Sequence, residues 1–161
     1  MLENVSGLEA YSIFRDYFKL SRSAQSIDLL RQIARRLAEF PYENVSKILK
    51  HARLGTSRQA FRLPEEVVIE HIDNGFGGTC FSLTFLLERM LRSCGFDCYK
   101  VMADMRSGVN VHCLVIVNLN SRKIMIDPGY ALYELIALPE AGMVRVKCPH
   151  AFVEVVKEGQ D

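Results

Sequence analysis

The hydrophobic periodicity of this 161-residue chain changes once, at Gly95, and that change limits the fold to few classes. Upstream, apolar residues recur at helical spacing. Phe14, Tyr17 and Phe18 make one stripe, and Leu30, Ile33, Ala34 and Leu37 make a second, with Arg31, Arg35 and Arg36 off it as a solvated face. Ser26-Ile27-Asp28 offers that second helix a cap and Pro41 ends it. Ser46 to His51 reads as a short helical turn, followed by a polar loop from Gly55 to Arg62. Pro64-Glu65-Glu66 places proline and acids in a first turn, which predicts a helix to about Ile72. The apolar run Phe81 to Leu91 predicts another helix, ending near Cys94 with Gly95 as its stop. Downstream, residues 97–105, 111–117, 123–126 and 144–156 are rich in β-branched residues and bounded by turn clusters, the mark of strands. Helices first and an antiparallel sheet second is an α+β pattern. We expect a helical region at 1–95 and an antiparallel β region at 96–161, forming one compact unit.

Composition narrows the function classes. Apolar residues make up 49% of the chain and charged residues 24%, so a core can be buried without metals or staples. The formal charge of +1 gives no basis for a nucleic-acid or membrane-surface partner. The apolar runs are broken by charge well short of a membrane span, and Glu3, Glu9 and Arg15 interrupt any leader-like opening. Five cysteines, an odd number, fit free thiols in a reducing cytoplasm better than a disulfide framework.

Chemistry enters at Gly75-Phe76-Gly77-Gly78-Thr79-Cys80, which leads directly into the apolar helix. A cysteine in the first turn meets unpaired N–H groups and the positive end of the helix dipole, both of which favour thiolate. The glycines let backbone and substrate approach closely. A base and an orienting acid can come from the strands. Residues 111–117 and 122–127 flank Asn118-Leu119-Asn120-Ser121 and read as a hairpin. A symmetric loop sets Asn118 opposite Ser121, Ile116 opposite Lys123 and His112 opposite Asp127, with Cβ atoms roughly 4.5–5.5 Å apart on one face. Asp127 would then fix the His112 tautomer, His112 would take the Cys80 proton, and N–H groups near Cys80 would hold an oxyanion. The chemistry implied is acyl transfer through a thioester. Singly, each residue has a plainer role: cysteine in an apolar helix is usually core, and Asp127-Pro128-Gly129 is also a turn sequence. Their ordered occurrence is what points to a site. Cys94, Cys98, Cys148 and His150 lack the paired spacing of structural zinc, so no metal is expected. Cys113 alternates away from His112 towards the core, and His51 and His71 read as surface residues.

Three blocks resemble the arylamine N-acetyltransferases, within the wider transglutaminase-like (papain-like) cysteine superfamily. Phe40-Pro41-Tyr42-Glu43-Asn44-Val45 resembles the P-F-E-N-L block, and Gly77-Gly78-Thr79-Cys80 the R-G-G-x-C nucleophile block, followed by Gly95-Phe96. His112-Cys113-Leu114-Val115 and Asp127-Pro128-Gly129-Tyr130 are similar to the histidine strand and the D-x-G-F block. The resemblance implies a helical bundle followed by an antiparallel β-sheet or barrel, with a further lid region in family members that are considerably longer. It implies acetyl-coenzyme A as acyl donor, a Cys80 thioester, and a small-molecule amine as acceptor. Tyr42, Phe76, Gly78, Thr79, Gly129 and Tyr130 would line the substrate site. Phe76, Ser82 and Thr84 stand where the family pattern R-G-G-x-C-x-E-x-N has Arg, Glu and Asn. Those changes bear on the acceptor and the donor. They leave open a transglutaminase-like amidase or peptidase with the same triad, or a degenerate binding module.

Overall fold

The computed structural model describes residues 2–21, 25–55, 61–132, 134–148 and 152–159, with backbone alone for 2–6. Five helices precede the strands: α1 Leu2–Phe18, α2 Ile27–Leu37, α3 Val45–Leu54, α4 Pro64–Asn74 and α5 Cys80–Ser93. Ser26 caps α2 by accepting the Leu29 N–H at 3.1 Å, and proline opens α4. Helices α3 and α4 each run two or three residues past the lengths expected from the sequence.

The strands are β1 Asp97–Met105, β2 Gly108–Leu119, β3 Arg122–Ile126, β4 Ile136–Ala137, β5 Met143–Lys147 and β6 Phe152–Val156. The first four form an antiparallel sheet in the order β1-β2-β3-β4, and β5 and β6 pair separately as a hairpin. The described pairings do not close the sheet into a barrel. The segment 144–156, read as one strand, is this hairpin, and residues 149–151 between its arms lie outside the described residues.

The hairpin register differs from the symmetric-loop expectation. Leu119 pairs with Arg122 and Asn118 with Lys123, so the two loop residues are Asn120 and Ser121, not Leu119 and Asn120. Both sit in the left-handed region, with φ of 51° and 61°, as a tight hairpin turn demands. Leucine is a poor left-handed residue, and Leu119 packs against the core instead. His112 is therefore not directly opposite Asp127, which lies just beyond the end of β3. The slip is two residues, and with a side-chain period of two it leaves both on the same face.

Helix α5 sits between the other helices and the sheet, packed against α1, α4, β1 and β2. Leu83, Leu86, Leu87, Met90 and Leu91 are all fully buried in one cluster with Phe14, Ile33 and Val67 from the helices and Val115, Val117 and Ile126 from the strands. Each such leucine removed to alanine would cost about 2–5 kcal/mol. Helix α5 is thus fixed on two sides, and its first residue is Cys80.

Candidate active site

Cys80 owes its place to a clamp between two loops. Tyr42 forms an isolated parallel β-bridge with Gly78. Within it the Gly78 N–H donates to the Pro41 carbonyl and the Glu43 N–H to the Gly78 carbonyl, each at 3.1 Å. A Cβ on Gly77 would lie 1.9 Å from the Pro41 carbonyl oxygen, so only glycine admits this approach. Phe40 anchors the first loop: it is fully buried and stacks on the His71 imidazole at 3.7 Å between centroids. His71 Nδ1 donates to the Phe76 carbonyl at 3.0 Å, tying in the second loop. His71 is half-buried rather than superficial, and that burial holds its pKa below the ordinary value.

Behind the glycine loop lies a buried guanidinium. Arg62, 1% exposed at its side chain, donates to the Gly77 carbonyl and to Ser46 Oγ at 2.7 Å, and pairs with Glu70 and Glu43. Burial pushes the Glu43 carboxyl up, but hydrogen bonds from Ser46 and the Arg62 charge outweigh it and leave the group below its usual range. Sequence reading missed Arg62. No local sequence signal marked it, since its partners Ser46 and Gly77 lie 16 and 15 residues away.

The strands deliver the other two groups. His112 Nε2 donates to Asp127 Oδ2 at 2.8 Å, with both side chains buried. Asp127 Oδ1 accepts the Gly129 and Tyr130 N–H groups at 3.0 and 3.2 Å, capping the 3-10 turn Pro128–Tyr130. The acid is held from both oxygens, and His112 is left with Nδ1 for another partner. The Tyr130 ring meets the imidazole edge-on, 5.1 Å between centroids. Gly129 marks where the two halves meet: a Cβ there would lie 2.7 Å from His112 Cε1 and 2.8 Å from Cys80 Cβ. Thr84, one turn along α5 from Cys80, donates to the Cys113 carbonyl at 3.0 Å and so pins the nucleophile helix to the histidine strand.

Of the residues expected at the site, Cys80, His112, Asp127, Gly129 and Tyr130 are brought together, and Tyr42 and Gly78 pair with each other in the loops that lead to Cys80. Thr79 caps α5 through its backbone without a side-chain cap bond, and it opens onto an adjacent groove of about 770 Å³. Phe76 does not line that groove. Its apolar wall is Phe61, Leu63, Phe81, Phe85 and Met102, with Lys47 and Lys100 among its lining residues. Among the described residues no cluster of three His, Cys, Asp or Glu side chains could hold a metal, and no helix is long and apolar enough to cross a membrane. His150 lies outside the described residues.

Comparison with known proteins bears on the family and the fold. A family model described as N-acetyltransferase matches residues 26–160. A search of curated sequences returned no match. Among solved structures, the arylamine N-acetyltransferase from Salmonella typhimurium superposes with a TM-score of 0.71 at 20% identity, covering 93% of this chain and 56% of that one. The Bacillus cereus arylamine N-acetyltransferase, described with a Cys-His-Glu catalytic triad, gives 0.66 at 14% identity over 90% and 58%. Arylamine N-acetyltransferase C from Bacillus anthracis gives 0.60 at 22% identity over 80% and 52%. The chain thus spans little more than half the length of the solved structures it matches. On the match of that model to most of its length, the chain belongs to the N-acetyltransferase family, with the fold of the arylamine N-acetyltransferases.

Proposed function

We propose that the chain is a thiol-dependent acyltransferase that moves an acetyl group from acetyl-coenzyme A to an arylamine or related small amine through a thioester on Cys80. The observation that carries this reading is the meeting of Cys80 and the His112–Asp127 pair over Gly129. Asp127 fixes the His112 tautomer so that Nδ1 is the basic nitrogen. His112 takes the Cys80 proton, and Sγ attacks the donor carbonyl while its π pair moves onto oxygen. Collapse expels the donor thiolate, which recovers the proton from the imidazolium. The amine then attacks the thioester, with His112 as base, and Cys80 leaves as thiolate. A nucleophile at a helix start with histidine and acid on strands is also the order of a papain-like, transglutaminase-like core.

The groove beside Thr79 suits the substrates. Its aromatic wall can take an aryl ring or the acyl chain, and Lys47 and Lys100 can meet donor phosphates. Five free cysteines fit action in the cytoplasm. The test is acetyl transfer from acetyl-coenzyme A to a panel of arylamines. Turnover by the wild-type chain, lost in Cys80→Ser and in His112→Ala, is expected. Turnover that survives either substitution would overturn the reading.

A further inference from the structure

We propose that Thr84 is a positioning residue for the thiol chemistry, a role that rests on the pairing of Cys80 with His112 described above: its hydroxyl sets how closely Cys80 is held to the imidazole that takes its proton. Thr84 stands where the resembled pattern has asparagine, one helical turn along α5 from Cys80. The need for it comes from the sheet. Strand β3 pairs with β2 from Leu119 only as far as Val115, which lies opposite Ile126. The chain then leaves the sheet, so that Asp127 can cap the Pro128–Tyr130 turn and accept from His112. Among the described residues, the segment 112–114 of β2 therefore pairs with β1 alone. The Cys113 carbonyl accepts the Thr84 hydroxyl at 3.0 Å, and α5 takes hold of the strand where β3 has let go.

This bond does what the core contacts of α5 do not. Apolar packing is non-directional, so the leucines hold the helix against the sheet without fixing its position along its own axis. A hydrogen bond weakens steeply with misalignment and does fix that position. A threonine inside a helix commonly turns its hydroxyl back to the carbonyl four residues earlier, which here is that of Cys80 itself. Thr84 donates across to β2 instead. The path from thiol to base is then short: one turn of α5, one hydrogen bond, and the peptide that joins Cys113 to His112. Thr84 is fully buried, so no solvent at the hydroxyl stands ready to replace it. Without the donor, helix and strand are free to slide, and the gap between Cys80 and His112 over Gly129 changes with them.

Thr84→Val keeps the shape and removes the donor, whereas Thr84→Ser keeps the donor and removes a methyl. Leu91→Ala, about three turns along the same helix, loosens its packing and leaves the bond in place. Iodoacetamide alkylation mapped to Cys80, in folded protein without denaturant, reads the activation of the thiol, and urea unfolding reads stability. We expect alkylation to slow by about 10-fold in Thr84→Val, because a displacement of about 1 Å costs on the order of 100-fold and this slide is smaller. Thr84→Ser and Leu91→Ala should stay within about twofold of wild type, although Leu91→Ala unfolds at lower urea. Wild-type alkylation in Thr84→Val, or an equal fall in Leu91→Ala, would reduce Thr84 to a structural contact and overturn the proposal. A Thr84→Ser protein slowed by about 10-fold would overturn it as well, even where the valine variant does not fold. Alkylation needs no acyl donor. Wild-type protein that is alkylated but never acylated by acetyl-coenzyme A would overturn the acyl-transfer reading alone, and the alkylation series would still decide the role of Thr84.

Discussion

Gly129→Ala puts a methyl group between the nucleophile and its base. The new Cβ would lie 2.7 Å from His112 Cε1, 2.8 Å from Cys80 Cβ and 3.3 Å from Asp127 Oδ1. Carbon atoms prefer roughly 3.5–4.0 Å, so the first two contacts are short by about 0.7 Å or more. Neither neighbour is a loose end. Cys80 Cβ belongs to the first residue of a helix buried on two sides, and the imidazole is held by its 2.8 Å bond to Asp127. The backbone at Gly129 is not left-handed, so the steric contact is the whole perturbation. The loop must carry His112 and Cys80 apart by a large fraction of an ångström. A misplacement of about 1 Å costs on the order of 100-fold in rate, and we expect Cys80 acylation to fall by about 10- to 100-fold. Overpacking of this kind costs about 1–3 kcal/mol, so the variant should fold, with a lowered urea midpoint. Single-turnover acylation beside urea unfolding measures both. Wild-type acylation in a folded Gly129→Ala protein would refute the juxtaposition of Cys80 with His112.

Three further expectations follow. Asp127→Asn keeps the shape but can present an amide N–H to His112 Nε2, reversing the tautomer; transfer should fall by about 10⁴-fold, measured as kcat, with little change in thermal stability. Arg62→Met removes the cation paired with Glu43 and Glu70 behind the glycine loop. Stripping one partner from a buried pair costs about 3–5 kcal/mol, and the lower end is expected because Glu70 reaches solvent; urea unfolding with no loss of stability would contradict the clamp. Burial raises the Cys94, Cys98 and Cys113 thiols to about 11. At neutral pH these three stay protonated, and their thiolate appears only as pH climbs towards that value. Mapped alkylation near pH 7 should therefore label Cys80 well ahead of all three, and equal labelling would remove the case for Cys80 as nucleophile.

Much of this arrangement is legible in local sequence because local rules govern it. Helix α5 begins at Cys80 and β1 covers 97–105 as periodicity and turn residues indicate. His112 and Asp127 share a face even though the register was off by two, since parity survives an even slip. The slip arose because a loop of Leu119 and Asn120 looks as good as one of Asn120 and Ser121 until Leu119 is seen to pack on the core. Arg62 and His71 escaped for a different reason. Their partners, Gly77, Ser46 and Glu43 for one and Phe40 for the other, lie up to 31 residues away in sequence, and no local pattern announces such contacts. The Tyr42–Gly78 bridge likewise joins two loops that no local pattern pairs.

Intact mass spectrometry of the chain after mixing with acetyl-coenzyme A, without acceptor, reads the Cys80 thioester as a mass change. A gain of one acetyl group is expected, mapped to Cys80, absent in Cys80→Ser and discharged on adding an arylamine. No gain in mass, or one that persists in Cys80→Ser, would contradict it.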